Sequence, residues 1–205
     1  KPPLHGKDWM AVTGKPLGAA AGARIFIQGG NAVDAACAML AATATMWDVL
    51  HWGGETQALI WDPRAKKVVG INALGVAPTG ATPEFFAARG LAYPPPYGPL
   101  AAVTPGTPGG LLVMLAEYGR LSLAEVLQPA IEMADGYPME GQTARYIEED
   151  RKEIEQWPDS KRLFFPNPGG KAPEPGQLFH QPELAATLRK LVDAERQALA
   201  AGADR

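Results

Sequence analysis

A helix-rich α/β fold with an unfinished sheet is what this sequence predicts. Three observations carry the prediction. Apolar residues recur at helical spacing in about six segments. Only one pair of neighbouring segments, 56–61 and 67–72, alternates as strands do. The 20 prolines and 23 glycines cluster between the periodic segments, which marks loops and not disorder. At 205 residues the chain suits a single unit, residues 1–205, able to bury about 70% of its unfolded surface.

The elements follow in chain order. Residues 16–28 are alanine-rich, with Pro16 suited to a first helical turn, and Gly29-Gly30 stops them. Asn31 is an N-cap for a helix over 32–45, and Asp34 suits its first turn. The small, nearly uncharged residues of that helix predict burial on almost every side. The hairpin 56–61/67–72 turns at Asp62-Pro63-Arg64, and residues 74–82 then read as irregular. A short helix opens at Thr82-Pro83-Glu84. The prolines of 93–99 exclude regular structure, and 103–110 reads as a tight loop leading into a helix over 111–118. Ser122 with Glu125 makes a capping box for a helix from Leu123 to Asp135, ended by Gly136. A charged helix over 143–156, a mostly irregular stretch over 159–181, and an amphipathic helix over 181–200 complete the reading. The last helix turns Leu184, Leu188, Leu191 and Val192 inward.

Composition removes whole classes of function. A net charge of −3 gives no basic footprint for nucleic acid. No apolar run reaches the roughly 18 residues of a membrane helix. The single cysteine, Cys37, excludes an internal disulfide and a cysteine-based zinc site, and only Ser122 and Ser160 are serines. The chain opens Lys1-Pro2-Pro3-Leu4-His5, with neither a start methionine nor a signal-like region, so a preceding segment is expected to have been removed.

No catalytic constellation is complete. Cys37 lies within an alanine-rich helix and reads as inert core. His5, His51 and His180 lack metal-type spacing, so no metal is expected. Residues 48–57 combine His51, Trp52, two glycines and Glu55. They are either a pocket wall or, more economically, a helix-to-strand turn with Trp52 packed beneath. The glycines of 103–110 lack the lysine and hydroxyl of a P-loop, and Pro105 and Pro108 remove donors from any anion nest. The mixed charges of 148–155 read as a solvated face.

Several segments, in order, resemble the large subunit of the γ-glutamyltranspeptidase family. GGNAVDAA at 29–36 is the most specific. TGKPLGAAAG at 13–22, Ala77-Pro78 with Ala81-Thr82, and VTPGTPGG at 103–110 are also similar. So are the YG.L…PAI…GYP pattern of 118–138 and GQLFHQPELAATL at 176–188.

The resemblance implies an N-terminal-nucleophile hydrolase with a four-layer αββα sandwich, of which this chain supplies only the N-terminal portion of the large subunit. Such enzymes are zymogens that cleave themselves into a heterodimer. The new N-terminal threonine of the small subunit attacks an amide carbonyl, helped by its own amino group. No catalytic residue is then expected in this chain, and no cofactor. The expected partners are that small subunit and a small-molecule amide, with room for a higher oligomer of heterodimers. No nucleic acid or membrane partner is expected. Family members are both exported and intracellular, and the expectation here leans cytoplasmic. The large subunits of the family run beyond Arg205, which falls within a helix pattern, so a truncated chain or an additional cut is expected.

One departure concerns the substrate. In typical members an arginine four residues before the proline of the AP pair binds the α-carboxylate of the γ-glutamyl group. Here that position is Leu74, followed by Gly75. Residues 50–57 also lack the usual long glycine run. Leu74, Gly75, His51 and Trp52 are therefore the candidate substrate-binding residues of an amidohydrolase or acylase acting on another small amide. The alternatives are a γ-glutamyltransferase or glutathione hydrolase proper, and a non-catalytic binding or assembly module with the same fold. Arg64 and Arg89 are the cations to examine as substitutes for the missing one.

Overall fold

The computed structural model describes residues 3–46 and 50–204. Asp48, at the start of the segment 48–57, lies outside the described residues. Among those described, the elements run α1 (Pro16–Ile27), α2 (Ala32–Thr43), β1 (Thr56–Asp62), β2 (Lys67–Ala73), α3 (Pro83–Ala87), a 3₁₀ turn (Pro99–Ala101), α4 (Thr107–Tyr118) and α5 (Leu123–Asp135). Then follow β3 (Tyr137–Pro138), α6 (Gly141–Glu149), α7 (Arg151–Ile154), α8 (Pro158–Phe164), β4 (Leu178–Phe179) and α9 (Pro182–Ala200).

Helix α2 is the centre. It packs against α1, α4 and α5, and α5 in turn carries α9. Cys37, Ala38, Ala41, Leu111, Val126, Leu127 and Leu188 share this first core. The small side chains of α2 are what let three helices approach it. At its start, Asn31 Oδ1 accepts from the Val33 and Asp34 amides at 2.8 and 3.0 Å, and Asp34 Oδ2 accepts from the Asn31 amide at 2.8 Å. The same two residues reach across the fold. Asn31 Nδ2 donates to the Tyr118 carbonyl at 2.7 Å. Asp34 Oδ1, fully buried, accepts from the Arg120 and Leu121 amides at 2.8 and 3.2 Å. The polar residues of GGNAVDAA thus cap one helix and hold the α4–α5 turn.

The hairpin is antiparallel, with Thr56 opposite Ala73 and Asp62 opposite Lys67. Ala58, Ile60 and Ile71 turn toward the first core. Leu59, Trp61 and Val68 point the other way and are exposed. Only two strands are present in this sheet, so both outer edges are unpaired among the described residues.

A second, smaller core of Met46, Tyr137, Met139, Ile147, Ile154, Phe165 and Phe179 lies under α6, α7 and the β3–β4 ladder.

The structure corrects three expectations. Residues 107–110 belong to α4 and not to a loop, because Pro108 sits in the first turn, where a missing N–H costs nothing. The helix expected over 143–156 begins at Gly141 and breaks at Asp150 into α6 and α7. The stretch 159–181 is mostly irregular, as expected, with the end of α8, opened by Pro158, and the two-residue β4 set in it. The helix pattern does not run on to Arg205, since α9 ends at Ala200 and a turn follows through Gly202 at φ +88°.

Candidate active-site surface

Three segments far apart in sequence meet at the start of α4. The first is the turn at 51–54, closed by the Gly54 amide donating to the His51 carbonyl at 3.0 Å. The Gly54 carbonyl accepts from the Gly106 and Thr107 amides at 2.8 and 3.0 Å, so this turn supplies partners for the orphan donors of α4. The second is the strand exit at 73–76, where Val76 O accepts from the Thr104 amide at 3.0 Å. The third is the proline-glycine stretch at 103–107. Thr56 and Thr107 share a buried hydroxyl contact of 3.0 Å.

Two glycines make this approach possible. A Cβ at Gly75 would stand 1.9 Å from the Thr104 carbonyl oxygen, and one at Gly106 would stand 2.1 Å from that of Ala73. Both distances are impossible for any other residue without moving the backbone. The amides of Thr104, Gly106 and Thr107 are all spent on protein carbonyls, so the stretch is a structural clasp and not an anion nest.

This clasp brings the four candidate residues onto connected backbone. Gly75 is in it, and Leu74 beside it is 53% exposed. His51 is exposed at the turn. Trp52 is half-buried and packs against the first core, as the economical reading held. Neither arginine substitutes for a charge at Leu74. Arg64 lies in the turn at the far end of the hairpin, six strand steps or about 20 Å from the Ala73 end. Arg89 Nη1 bonds the Phe85 carbonyl, and its guanidinium lies over the Phe85 ring.

The remaining candidates are structural. Ser122 is locked in the capping box with Glu125. The exposed His180 bonds the Asp135 carbonyl through Nδ1. Among the described residues no group of three or more His, Cys, Asp or Glu side chains is placed to hold a metal ion. Cys37 is buried, and its thiol faces the Leu111 carbonyl at 3.8 Å. Burial, reinforced by the nearby Asp34 carboxylate, pushes the thiol up to about 12 from 9.0. The folded state thus holds a proton that the unfolded state releases. Its stabilisation is complete below pH 9 and fades as pH rises toward 12. Iodoacetamide at pH 8 should leave Cys37 unmodified in the native protein and alkylate it readily in urea, as read by mass spectrometry.

Comparison with known proteins places this architecture. In the crystal structure of Helicobacter pylori γ-glutamyltranspeptidase, a matching region superposes with a TM-score of 0.87 at 32% identity. It covers 95% of this chain and 56% of that one. The fold is that of an N-terminal-nucleophile hydrolase, of which this chain holds a part.

The model of the γ-glutamyltranspeptidase family matches residues 18–203, and the chain belongs to that family. It is 34% identical over 200 residues to the glutathione hydrolase-like YwrD proenzyme of Bacillus subtilis, across 96% of this chain and 37% of that protein. It is 35% identical over 208 residues to the acylase ACY 1 proenzyme of a Pseudomonas strain, across 95% of this chain and 36% of that protein. The chain therefore spans a little over a third of the length of these curated relatives.

Proposed function

We propose that this chain is the N-terminal part of the large subunit of a self-processing amidohydrolase or acylase whose substrate carries no γ-glutamyl α-carboxylate. The observation that carries the reading is Leu74: an exposed apolar side chain, next to the glycine clasp, in a segment (71–78) without one charged residue. A leucine offers a carboxylate no hydrogen bond.

The nucleophile is the N-terminal threonine of a small subunit cut from the same precursor. Its hydroxyl oxygen attacks the amide carbonyl, and its own α-amino group takes the hydroxyl proton. The tetrahedral oxyanion collapses, the C–N bond breaks, and the amine leaves with the proton. Water then hydrolyses the acyl-threonine. Leu74 and Gly75 line the acyl side of the pocket, and His51 and Trp52 form a wall. The proenzyme relatives and the bare outer face of the hairpin support a partner subunit. No cofactor enters this chemistry, because the threonine, its amine and oxyanion donors suffice.

Denaturing intact-mass analysis of the purified protein, with N-terminal sequencing of every chain present, tests the reading. A second polypeptide beginning with threonine is the expected result. An uncleaved or solitary chain that hydrolyses no small amide would overturn it in favour of a binding module.

A further inference from the structure

The second core leaves a groove of about 940 Å³ between Lys15 and Pro16 at the start of α1, the end of the α2 segment, and α6 with the β3–β4 ladder. His51 touches it; Leu74 and Gly75 do not line it. Its walls are mainly apolar and aromatic, with Tyr137, Ile147, Phe164 and Phe179 among them. The Phe164 and Phe179 rings stack at 5.8 Å.

One polar cluster faces these walls. Lys15 Nζ donates to Glu140 Oε2 at 2.6 Å and to Thr143 Oγ1 at 3.4 Å, and Thr143 Oγ1 donates to the same Oε2 at 3.1 Å. Thr143 is 1% exposed, and the Lys15 and Glu140 side chains are 15% and 28% exposed. An ammonium has three N–H donors and a carboxylate two accepting oxygens. Among the described residues, one Lys15 N–H and Glu140 Oε1 therefore have no partner.

An apolar cleft of several hundred cubic ångströms with a few convergent polar groups is the usual form of a small-molecule site. The cluster also restricts the charge of its occupant. Lys15 and Glu140 already neutralise each other, so a charged ligand would bring an uncompensated ion against mainly apolar walls. A neutral group with one acceptor and one donor completes both open positions with charge-assisted bonds. A carboxamide has that pattern, and aromatic walls favour an aromatic body beside it.

We propose that this groove binds an uncharged aromatic carboxamide. The amide oxygen accepts from Lys15 Nζ, the amide nitrogen donates to Glu140 Oε1, and the ring lies against Phe164 and Phe179. The proposal is independent of where amide cleavage occurs.

Isothermal titration of the intact protein with phenylacetamide tests it, with phenylacetate and phenethylamine as charged counterparts. Saturable binding of phenylacetamide is expected, with each charged analogue at least tenfold weaker. Glu140→Gln should weaken phenylacetamide binding at least tenfold. Phe164→Leu, which keeps apolar volume and removes the ring, should weaken it severalfold and carries the test if Glu140→Gln does not fold. The proposal is overturned if phenylacetamide does not bind the unmodified protein, if a charged analogue binds as tightly, or if both folded variants bind like the parent.

Discussion

Replacing Leu74 by arginine is expected to raise kcat/KM for γ-glutamyl-p-nitroanilide by roughly tenfold to a hundredfold, mostly through a lower KM. A guanidinium facing a carboxylate in a desolvated pocket makes two parallel charge-assisted bonds, each of a kind worth about 1.5–3 kcal/mol. Because every 1.4 kcal/mol or so is a factor of ten, even one such bond accounts for the gain. Leu74 is half-exposed, so the longer side chain has room. Neither Arg64, at the opposite end of the hairpin, nor Arg89, bonded to the Phe85 carbonyl, competes for the role. Steady-state kinetics on the γ-glutamyl anilide and on an uncharged acyl anilide provide the check. An unchanged KM for the first, with turnover of the second intact, would show that residue 74 lies outside the acyl pocket.

The largest stability effect is expected at Asp34. Its carboxylate is fully buried and accepts from three backbone amides, those of Asn31, Arg120 and Leu121. Asp34→Ala leaves all three donors without partners in a dry site. Each unsatisfied buried donor costs about 1–3 kcal/mol, so a loss of about 4 kcal/mol is expected after partial relaxation. For a chain of this size that corresponds to a fall in Tm of roughly 8–16 °C. Asp34→Asn keeps one accepting oxygen and turns an NH₂ toward a donor, so it should lose about half as much. A variant melting within a degree or two of the parent would mean that water replaces the carboxylate.

Much of the fold was legible because local chemistry set the boundaries. Helix α5 runs from Leu123 to Asp135, as its capping box and Gly136 predict. Asn31 and the alternation of the hairpin were equally readable. What escaped had little local signal. Residues 107–110 look like a loop because glycine and proline dominate them, yet a first helical turn tolerates both. The two-residue strands β3 and β4 are too short for any period, and their pairing is a long-range event.

The candidate site divided along the same line. Residue types single out His51 and Trp52, and the family resemblance singles out Leu74 and Gly75. Their convergence depends on carbonyls of Gly54 and Val76 meeting amides some 30–50 positions away, which no side-chain pattern encodes. The buried partners of Asp34 in the α4–α5 turn were hidden for the same reason. GGNAVDAA is the most specific of six collinear segments that resemble the family, and its polar residues cap α2 and hold the α4–α5 turn.

The outward side of the β1–β2 hairpin governs how this piece would behave as a colloid. Leu59, Trp61 and Val68 face water between two strand edges that no further strand pairs among the described residues. Such a surface is sticky toward its own kind, since a second hairpin can extend the sheet or cover the face. Separated from whatever shields it, the chain would therefore clump progressively as it is concentrated. Sulfate or phosphate would hasten the clumping by strengthening apolar association. Handling the isolated chain without precipitation therefore calls for dilution and low salt.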